Sequence, residues 1–330
     1  MDWKGRKVLV TGADGFIGSH LTERMVALGA DVHALVLYNS FNSWGWLDTI
    51  DPRVKSALTV HAGDVRDEGF LRTISKGMHT VFHLAALIAI PYSYHAPSSY
   101  VQTNVVGTLN VLQAAREAGV ERLVHTSTSE TYGSALYVPI DEKHPLQGQS
   151  PYSASKIGAD MLAESFHRSF GLPVATIRPF NTYGPRQSAR AVIPTVIVQA
   201  LSDTSTIHLG SLRPLRDMNF VKDTVEGFVK IAESDACIGK VTNIGSGREV
   251  SIGDLAHAIL RLCGSKAEIE SDAERVRPEN SEVERLQCDA TLARVRAGWT
   301  PAYTLEQGLS ETVEWMRGNL DRYKPGQYNL

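Results

Sequence analysis

Through the first half of the chain, short apolar runs alternate with longer stretches whose apolar residues recur at helical spacing. The runs Lys7 to Thr11, Asp31 to Leu37, Leu58 to Ala62, Thr80 to Leu84, Arg122 to Ser127 and Val174 to Arg178 are predicted strands, and their near-continuous apolar character suits strands covered on both faces. Strand followed by helix, repeated, predicts a doubly wound α/β fold on a parallel sheet. After Pro179 the texture changes. Pro185, Pro194 and Pro214 punctuate shorter elements, which predicts a smaller C-terminal α/β lobe. Residues 1–180 are therefore expected to form the first domain, with about 219–250 returning to it, and residues 181–330 mainly the second. Ser251 is a predicted N-cap for the apolar run Leu255 to Leu262.

The first predicted strand runs straight into TGADGFIG, Thr11 to Gly18, with a predicted helix beginning near Ser19. Strand, glycine-rich turn and helix in this order form a Rossmann-type dinucleotide site: Gly12 permits the tight turn, Gly15 lets backbone approach a pyrophosphate, and Gly18 lets helix and strand sit close. The competing reading is a β-α turn without a ligand. Asp14, Phe16 and Ile17 lie inside the turn and join the candidate cofactor contacts, together with Leu84, Ala85 and Ala86 after the fourth strand and Asn104 beyond them. At the end of the second strand, where a ribose-binding acid is usual, the chain has Val36 and Leu37 and then Tyr38 and Asn39, which become the candidates for the adenosine ribose. No Arg or Lys lies between Arg24 and Arg53 to meet a 2′-phosphate, so NAD is favoured over NADP. Asp64 and Val65 either contact adenine or belong to a capped turn.

Tyr152 and Lys156 stand four residues apart in PYSASKIGAD, on one face of a helix predicted to start after Pro151. A lysine ammonium beside a tyrosine is expected to lower the phenol's pKa, so that the phenolate takes a proton from a hydroxyl while the adjacent carbon gives up hydride. Upstream, HTSTSETYG ends the fifth strand and brings Thr128, Ser129 and Glu130 to the carboxyl edge of the sheet. Thr128 is suited to hold a substrate hydroxyl and the tyrosine. Glu130 is either a base for a proton beside a carbonyl or a capping surface acid.

Composition narrows the partners. The 330 residues are enough for a large domain plus a smaller lobe, and 43% hydrophobic with 21% charged residues is an ordinary globular balance. A formal charge of −3 supplies no basic field for nucleic acid. Cys237, Cys263 and Cys288 lack disulfide or metal-ligand spacing and are expected to be reduced thiols. No apolar run approaches the roughly 20 residues of a membrane span, and the expected location is the cytoplasm, with no membrane partner. His79 and His83 straddle a strand start and are expected to be satisfied core or turn histidines, with no metal.

Taken together these residues resemble the extended short-chain dehydrogenase/reductases, and within them the nucleotide-sugar 4,6-dehydratases, over essentially the whole chain. The resemblance rests on TGADGFIGSHL, the Tyr152 and Lys156 pair, RPFNTYGPRQ from Arg178 to Gln187, and RDMNFVKD from Arg216 to Asp223. More narrowly, YNSFNSWGWLD from Tyr38 and LAALIAIPYSY from Leu84 resemble the N-acetylglucosamine nucleotide 4,6-dehydratases of legionaminic acid and related amino-sugar pathways. The resemblance implies an internal redox cycle with NAD: oxidation at sugar C4, loss of water across C5 and C6, and hydride return to C6. In that cycle Tyr152 is the C4 base, Lys156 tunes it, Thr128 assists and Glu130 removes the C5 proton. The glucose-specific relatives carry Asp where this chain has Ser129. Serine is too weak an acid to protonate the departing hydroxyl, which passes the task to Glu130 or a water.

Arg216 and Arg277 are candidates to hold the substrate diphosphate through guanidinium forks, with solvated surface arginines as the alternative, and the resemblance implies that Asn181 lies beside the same phosphates. Ile88, within the apolar stretch Leu87 to Tyr92, packs an acetamido methyl or is simply core. Helices near Asn104 to Gly119 and Ser153 to Ser169 resemble those that form a four-helix homodimer bundle. The rival readings are a UDP-glucuronate decarboxylase, a nucleotide-sugar 4-epimerase and, outside enzymology, a dinucleotide-sensing protein. The sensor has no use for Tyr152, Lys156 and Glu130 together.

Overall fold

The structure, a computed structural model, describes residues 1–202, 204–272, 275 and 282–323. Six strands follow the expected places: β1 (Lys7–Thr11), β2 (Asp31–Leu37), β3 (Leu58–Gly63), β4 (Thr80–His83), β5 (Arg122–Thr126) and β6 (Val174–Pro179). A seventh strand, Val241–Ile244, comes from much later in the chain and pairs with β6. All pairings are parallel, in the order β3-β2-β1-β4-β5-β6 and then Val241–Ile244.

Alternation along each strand divides the core into two layers, because successive side chains leave a strand on opposite faces. Val8, Val10, Ala34, Val36, Phe82 and Val124 join the layer covered by helices Phe16–Ala27 and Val221–Glu233. Leu9, Leu35, Val81 and Leu123 join the opposite layer, under helices Glu68–Ile74, Gly107–Ala118 and Pro151–Phe170. Both faces of β1, β4, β5 and β6 are buried, which is why these strands read as apolar runs, whereas the edge strand β3 has no buried residue.

Chain order reverses direction across the sheet between β1 and β4, opening a crevice at their carboxyl ends where α/β folds bind ligands. Beyond Pro179 the lobe is made of small sheets. Leu215–Asp217 runs antiparallel to Glu249–Ser251 and parallel to Arg285–Leu286, while Thr206–Leu209 pairs with Glu268–Ser271. Helix Ile252–Cys263 starts at Ser251, whose side chain accepts from the Asp254 amide as expected. Tyr132, Ile140, Phe180, Val283, Leu286 and Cys288 form a separate core that bonds the lobe to the edge of the main sheet. Among the described residues no helix is long and apolar enough to cross a membrane.

Candidate active site

At the crevice, the glycine-rich turn is shaped by close backbone approach. Gly12 sits at φ +70°, and a Cβ there would lie 2.8 Å from the Ala85 nitrogen. A Cβ on Gly18 would stand 2.0 Å from the Gly12 carbonyl oxygen, so only glycine lets the helix start so close to the strand. Gly15 is the N-cap and brings no side chain to the first helical amides. An uncapped helix N-terminus behind two side-chain-free positions is the cradle a pyrophosphate needs. Phe16 and Ile17 are half-buried and pack into the core. Asp14 accepts the Leu37 amide at 3.2 Å, and burial pushes its carboxyl up from the ordinary value.

Tyr38 is 70% exposed at the mouth of the crevice. Asn39 is occupied by its own loop: its amide donates to the Leu37 and Ser43 carbonyls, and its oxygen accepts from the Phe41 and Ser43 amides. Asp64 accepts the Arg66 amide at 2.9 Å and the Arg66 guanidinium, which holds its carboxyl below the usual range; the turn-cap geometry is thus present. Val65 is buried against Gly107, and its carbonyl accepts from Asn110. After β4 the amides of Leu84 and Ala85 both donate to the Thr11 hydroxyl at 3.1 Å, and Ala86 follows half-buried. Asn104 is 1% exposed and spends its side chain on both polar groups of Leu87 and on the Ser155 hydroxyl. It supports the site from behind.

The helix that carries Tyr152 and Lys156 starts where the sequence places it. Pro151 occupies the first turn and Ser150 closes a capping box with Ser153. Tyr152, Lys156 and Asp160 follow at i, i+4 and i+8, all buried on the face turned toward β5. The Thr128 hydroxyl and the Glu130 carboxylate both lie near enough to act on the Tyr152 phenol, Thr128 lowering its pKa and the Glu130 charge raising it. Thr128 also caps the turn Ser129–Tyr132 by accepting the Glu130 amide. Ser129 is 2% exposed.

Lys156 gives a correction. The expected lysine-driven lowering of the phenol does not appear: burial pushes Tyr152 well above the ordinary phenol value, with Thr128 partly opposing and the Glu130 charge adding to the rise. Burial likewise pulls Lys156 down to about 8, against the opposing attraction of Asp160. The ammonium donates to the Thr126 carbonyl at 2.6 Å.

Sequence reasoning quoted the stretches around Asp160, His125 and Arg178 without seeing what they build. The Asp160 carboxylate accepts from His125 Nε2 at 2.9 Å, Ser127 Oγ at 2.6 Å and Arg178 Nη2 at 2.8 Å. These bonds keep Asp160 ionised far below the usual range despite its burial. Arg178 in turn lies 4.6 Å from the centre of the Tyr132 ring. The available signal was the i+4 spacing of an acid beyond a buried lysine.

Toward the lobe, Asn181 keeps a buried side-chain nitrogen with no partner, a donor free for an anion. Arg216 is 6% exposed and donates to Glu282 at 3.0 Å, so it is an ion-paired group and not a solvated one. Arg277 lies outside the described residues. Ile88 is 60% exposed beside the cluster of Leu87, Ile90, Tyr100 and Tyr152, which decides between core and contact in favour of an open apolar surface. His83 is the satisfied core histidine expected, bonded through both ring nitrogens, and His79 accepts the Lys7 amide.

A parallel nucleotide-crevice sheet with a Thr, Tyr and Lys set at its carboxyl edge defines an extended short-chain dehydrogenase/reductase. Residues 9–312 match the model of the GDP-mannose 4,6 dehydratase family, and the chain belongs to that family of nucleotide-sugar enzymes. It is similar to the dTDP-glucose 4,6-dehydratase of Actinoplanes sp., 33% identical over 95% of this chain and 98% of that one. Among solved structures, the dTDP-glucose 4,6-dehydratase DesIV of Streptomyces venezuelae, solved with NAD, superposes with a TM-score of 0.83 at 31% identity, covering 97% and 99% of the two chains. The UDP-N-acetylglucosamine 4-epimerase of Methanobrevibacter ruminantium gives 0.87 at 29% identity, covering 96% and 99%.

Proposed function

We propose that this chain is an NAD-dependent 4,6-dehydratase of nucleotide-activated N-acetylglucosamine, with UDP or GDP as the nucleotide, forming the 4-keto-6-deoxy sugar. The observation that carries the reading is the convergence of Thr128, Glu130 and Tyr152 at the carboxyl edge, with a carboxylate beside the catalytic phenol. The Gly12, Gly15 and Gly18 cradle fits the dinucleotide. NAD, when bound, supplies the acceptor for the C4 hydride and its later return to C6.

Tyr152, in its ionised form, takes the C4 hydroxyl proton while Thr128 holds the two oxygens in line. Lys156, buried and bonded to the Thr126 carbonyl, ties the helix that carries the phenol to β5. Once C4 is a ketone, its neighbouring C5 proton is acidic, and Glu130 removes it. The C6 hydroxyl leaves with a proton that Glu130 hands on directly or through water, a task the buried Ser129 does not suit. Asn181 and Arg216 take the diphosphate, with Arg216 exchanging Glu282 for phosphate oxygens. The exposed apolar side chain of Ile88 supports an acetamido sugar over one bearing only hydroxyls. A homodimer through helices Gly107–Ala118 and Pro151–Phe170 is supported by the exposed Met161 and Phe170. The three free thiols support a reducing cytoplasmic setting.

Mass spectrometry of purified protein incubated with NAD and, separately, UDP-N-acetylglucosamine, GDP-N-acetylglucosamine and UDP-glucuronate tests the reading. Loss of one water from an acetamido donor, without net NADH, is the expected result and identifies the nucleotide. Loss of carbon dioxide from the glucuronate, or no mass change with either acetamido donor, would overturn it.

A further inference from the structure

Between the cofactor turn and the catalytic helix runs the segment His83 to Ala89, and one helical face holds it at three points. Tyr100 donates its hydroxyl to the Ala89 carbonyl. Asn104 accepts from the Leu87 amide at 2.8 Å and donates to the Leu87 carbonyl at 2.9 Å, so a single side chain holds both polar groups of that residue as a neighbouring strand would. Thr108 lies 3.0 Å from His83 Nε2. Residues 100, 104 and 108 thus meet 89, 87 and 83 in reverse order, an antiparallel ladder made of side chains.

Donor counting gives the ladder a direction. Thr11 Oγ accepts the Leu84 and Ala85 amides, so its own proton goes to His83 Nδ1. His83 then carries its proton on Nε2 and donates to Thr108, whose hydroxyl donates to the Asn104 carbonyl at 2.6 Å. Through Ser155, which receives a bond from Asn104 and donates to the Tyr152 carbonyl, the same network reaches the catalytic helix. Helix geometry fits the task. In an α-helix, side chains eight residues apart point about 80° away from each other. Here Val101–Val106 form a π turn, whose wider winding brings the three side chains back toward one line.

Tyr100, Asn104 and Thr108 are all 1% exposed or less, whereas Ile88, between the anchored Leu87 and Ala89, is 60% exposed. We propose that this helical face is a clamp which fixes the segment on both sides of Ile88 and presents that one side chain to the 2-substituent of the sugar, making Tyr100, Asn104 and Thr108 positioning residues for substrate discrimination. The inference rests on the nucleotide-sugar reading above and adds how the sugar is chosen. A side chain held in place discriminates, while the same side chain on a loose loop yields to either substituent.

The test is the ratio of Kd for UDP-glucose to Kd for UDP-N-acetylglucosamine, or for the GDP pair, measured by titration calorimetry in a Tyr152→Phe background so that binding is read without turnover. Ile88→Ser should lower the ratio about tenfold, the scale of a small apolar group in a pocket. Tyr100→Phe and Thr108→Val, both near-isosteric, should lower it roughly threefold while NAD affinity holds, and Thr108→Ser, which keeps the hydroxyl, should restore it. Equal binding of the two donors by the background protein, or a ratio that falls in Ile88→Ser but stays put in both clamp variants, overturns the proposal. Failure of the dehydratase reading is a separate result, seen as absence of water loss in the wild type.

Discussion

The catalytic edge of the sheet and the lobe-facing edge are built on opposite plans. At the catalytic edge the buried carboxylate Asp160 has three donors, and Lys156 is anchored to a carbonyl. Toward the lobe, Asn181 keeps an unpaired buried donor, and Arg216 is held by the Glu282 carboxylate, which on the proposed reading an incoming diphosphate displaces. The first region is finished within the protein, and on the proposed reading the second is completed by substrate. Groups that stabilise developing charge work best when already oriented, since no reorganisation is then needed during reaction. Groups that select an anion gain from a contact that the right ligand replaces.

The largest effect should come from the finished side. Tyr152→Phe removes the proton acceptor and is expected to cut turnover by about 10²–10⁴-fold, read as absence of both product and reduced cofactor. Asp160→Asn leaves Arg178 without its counter-charge in the core, and urea unfolding should show a loss of about 3–5 kcal/mol. Glu130→Gln should separate the two half-reactions, permitting C4 oxidation and stalling elimination, with nicotinamide absorbance accumulating on the enzyme. Product release at the wild-type rate would falsify the role given to Glu130.

Smaller effects probe the unfinished side and the lysine. Arg216→Lys loses the guanidinium fork and should raise KM for the nucleotide sugar about tenfold with NAD affinity unchanged; an equal loss in both would mean general disruption. Lys156 has its folded pKa lowered to about 8 from an ordinary 10.5, so between those values the unfolded chain binds more protons and stability rises with pH. Below about 8 the cost of burying the charge is present in full. Lys156→Met should therefore raise Tm at pH 7, and the gain should shrink toward pH 10; a gain independent of pH would show that Lys156 is not the group responsible.

Periodicity alone located the central strands to within a residue or so, because strands buried on both faces must be apolar throughout. The glycine turn was legible for a similar reason: a Cβ at Gly12 or Gly18 collides with backbone, so the requirement is written in the residues themselves. Tyr152 and Lys156 were readable through helical spacing. The interplay of their charges was not, since burial depends on what β5 and the substrate segment lay over them. Asn104 looked like a ligand contact and is a buried support, a distinction that needs the position of Leu87.

Local rules therefore determined what this chain could decide for itself: strand periodicity, the cap at Ser150, the turn that only glycine can make, and an acid placed four residues beyond a lysine. Tertiary structure decided which of these groups meet. Asp160 finds His125 and Arg178 across two strands, Arg216 finds Glu282 across 66 residues, and helix 100–108 finds the segment beside Ile88. The physical reason is that pKa values, ion pairs and exposure are set by the dielectric and the partners that packing brings within a few ångströms, and no spacing along the chain encodes that distance.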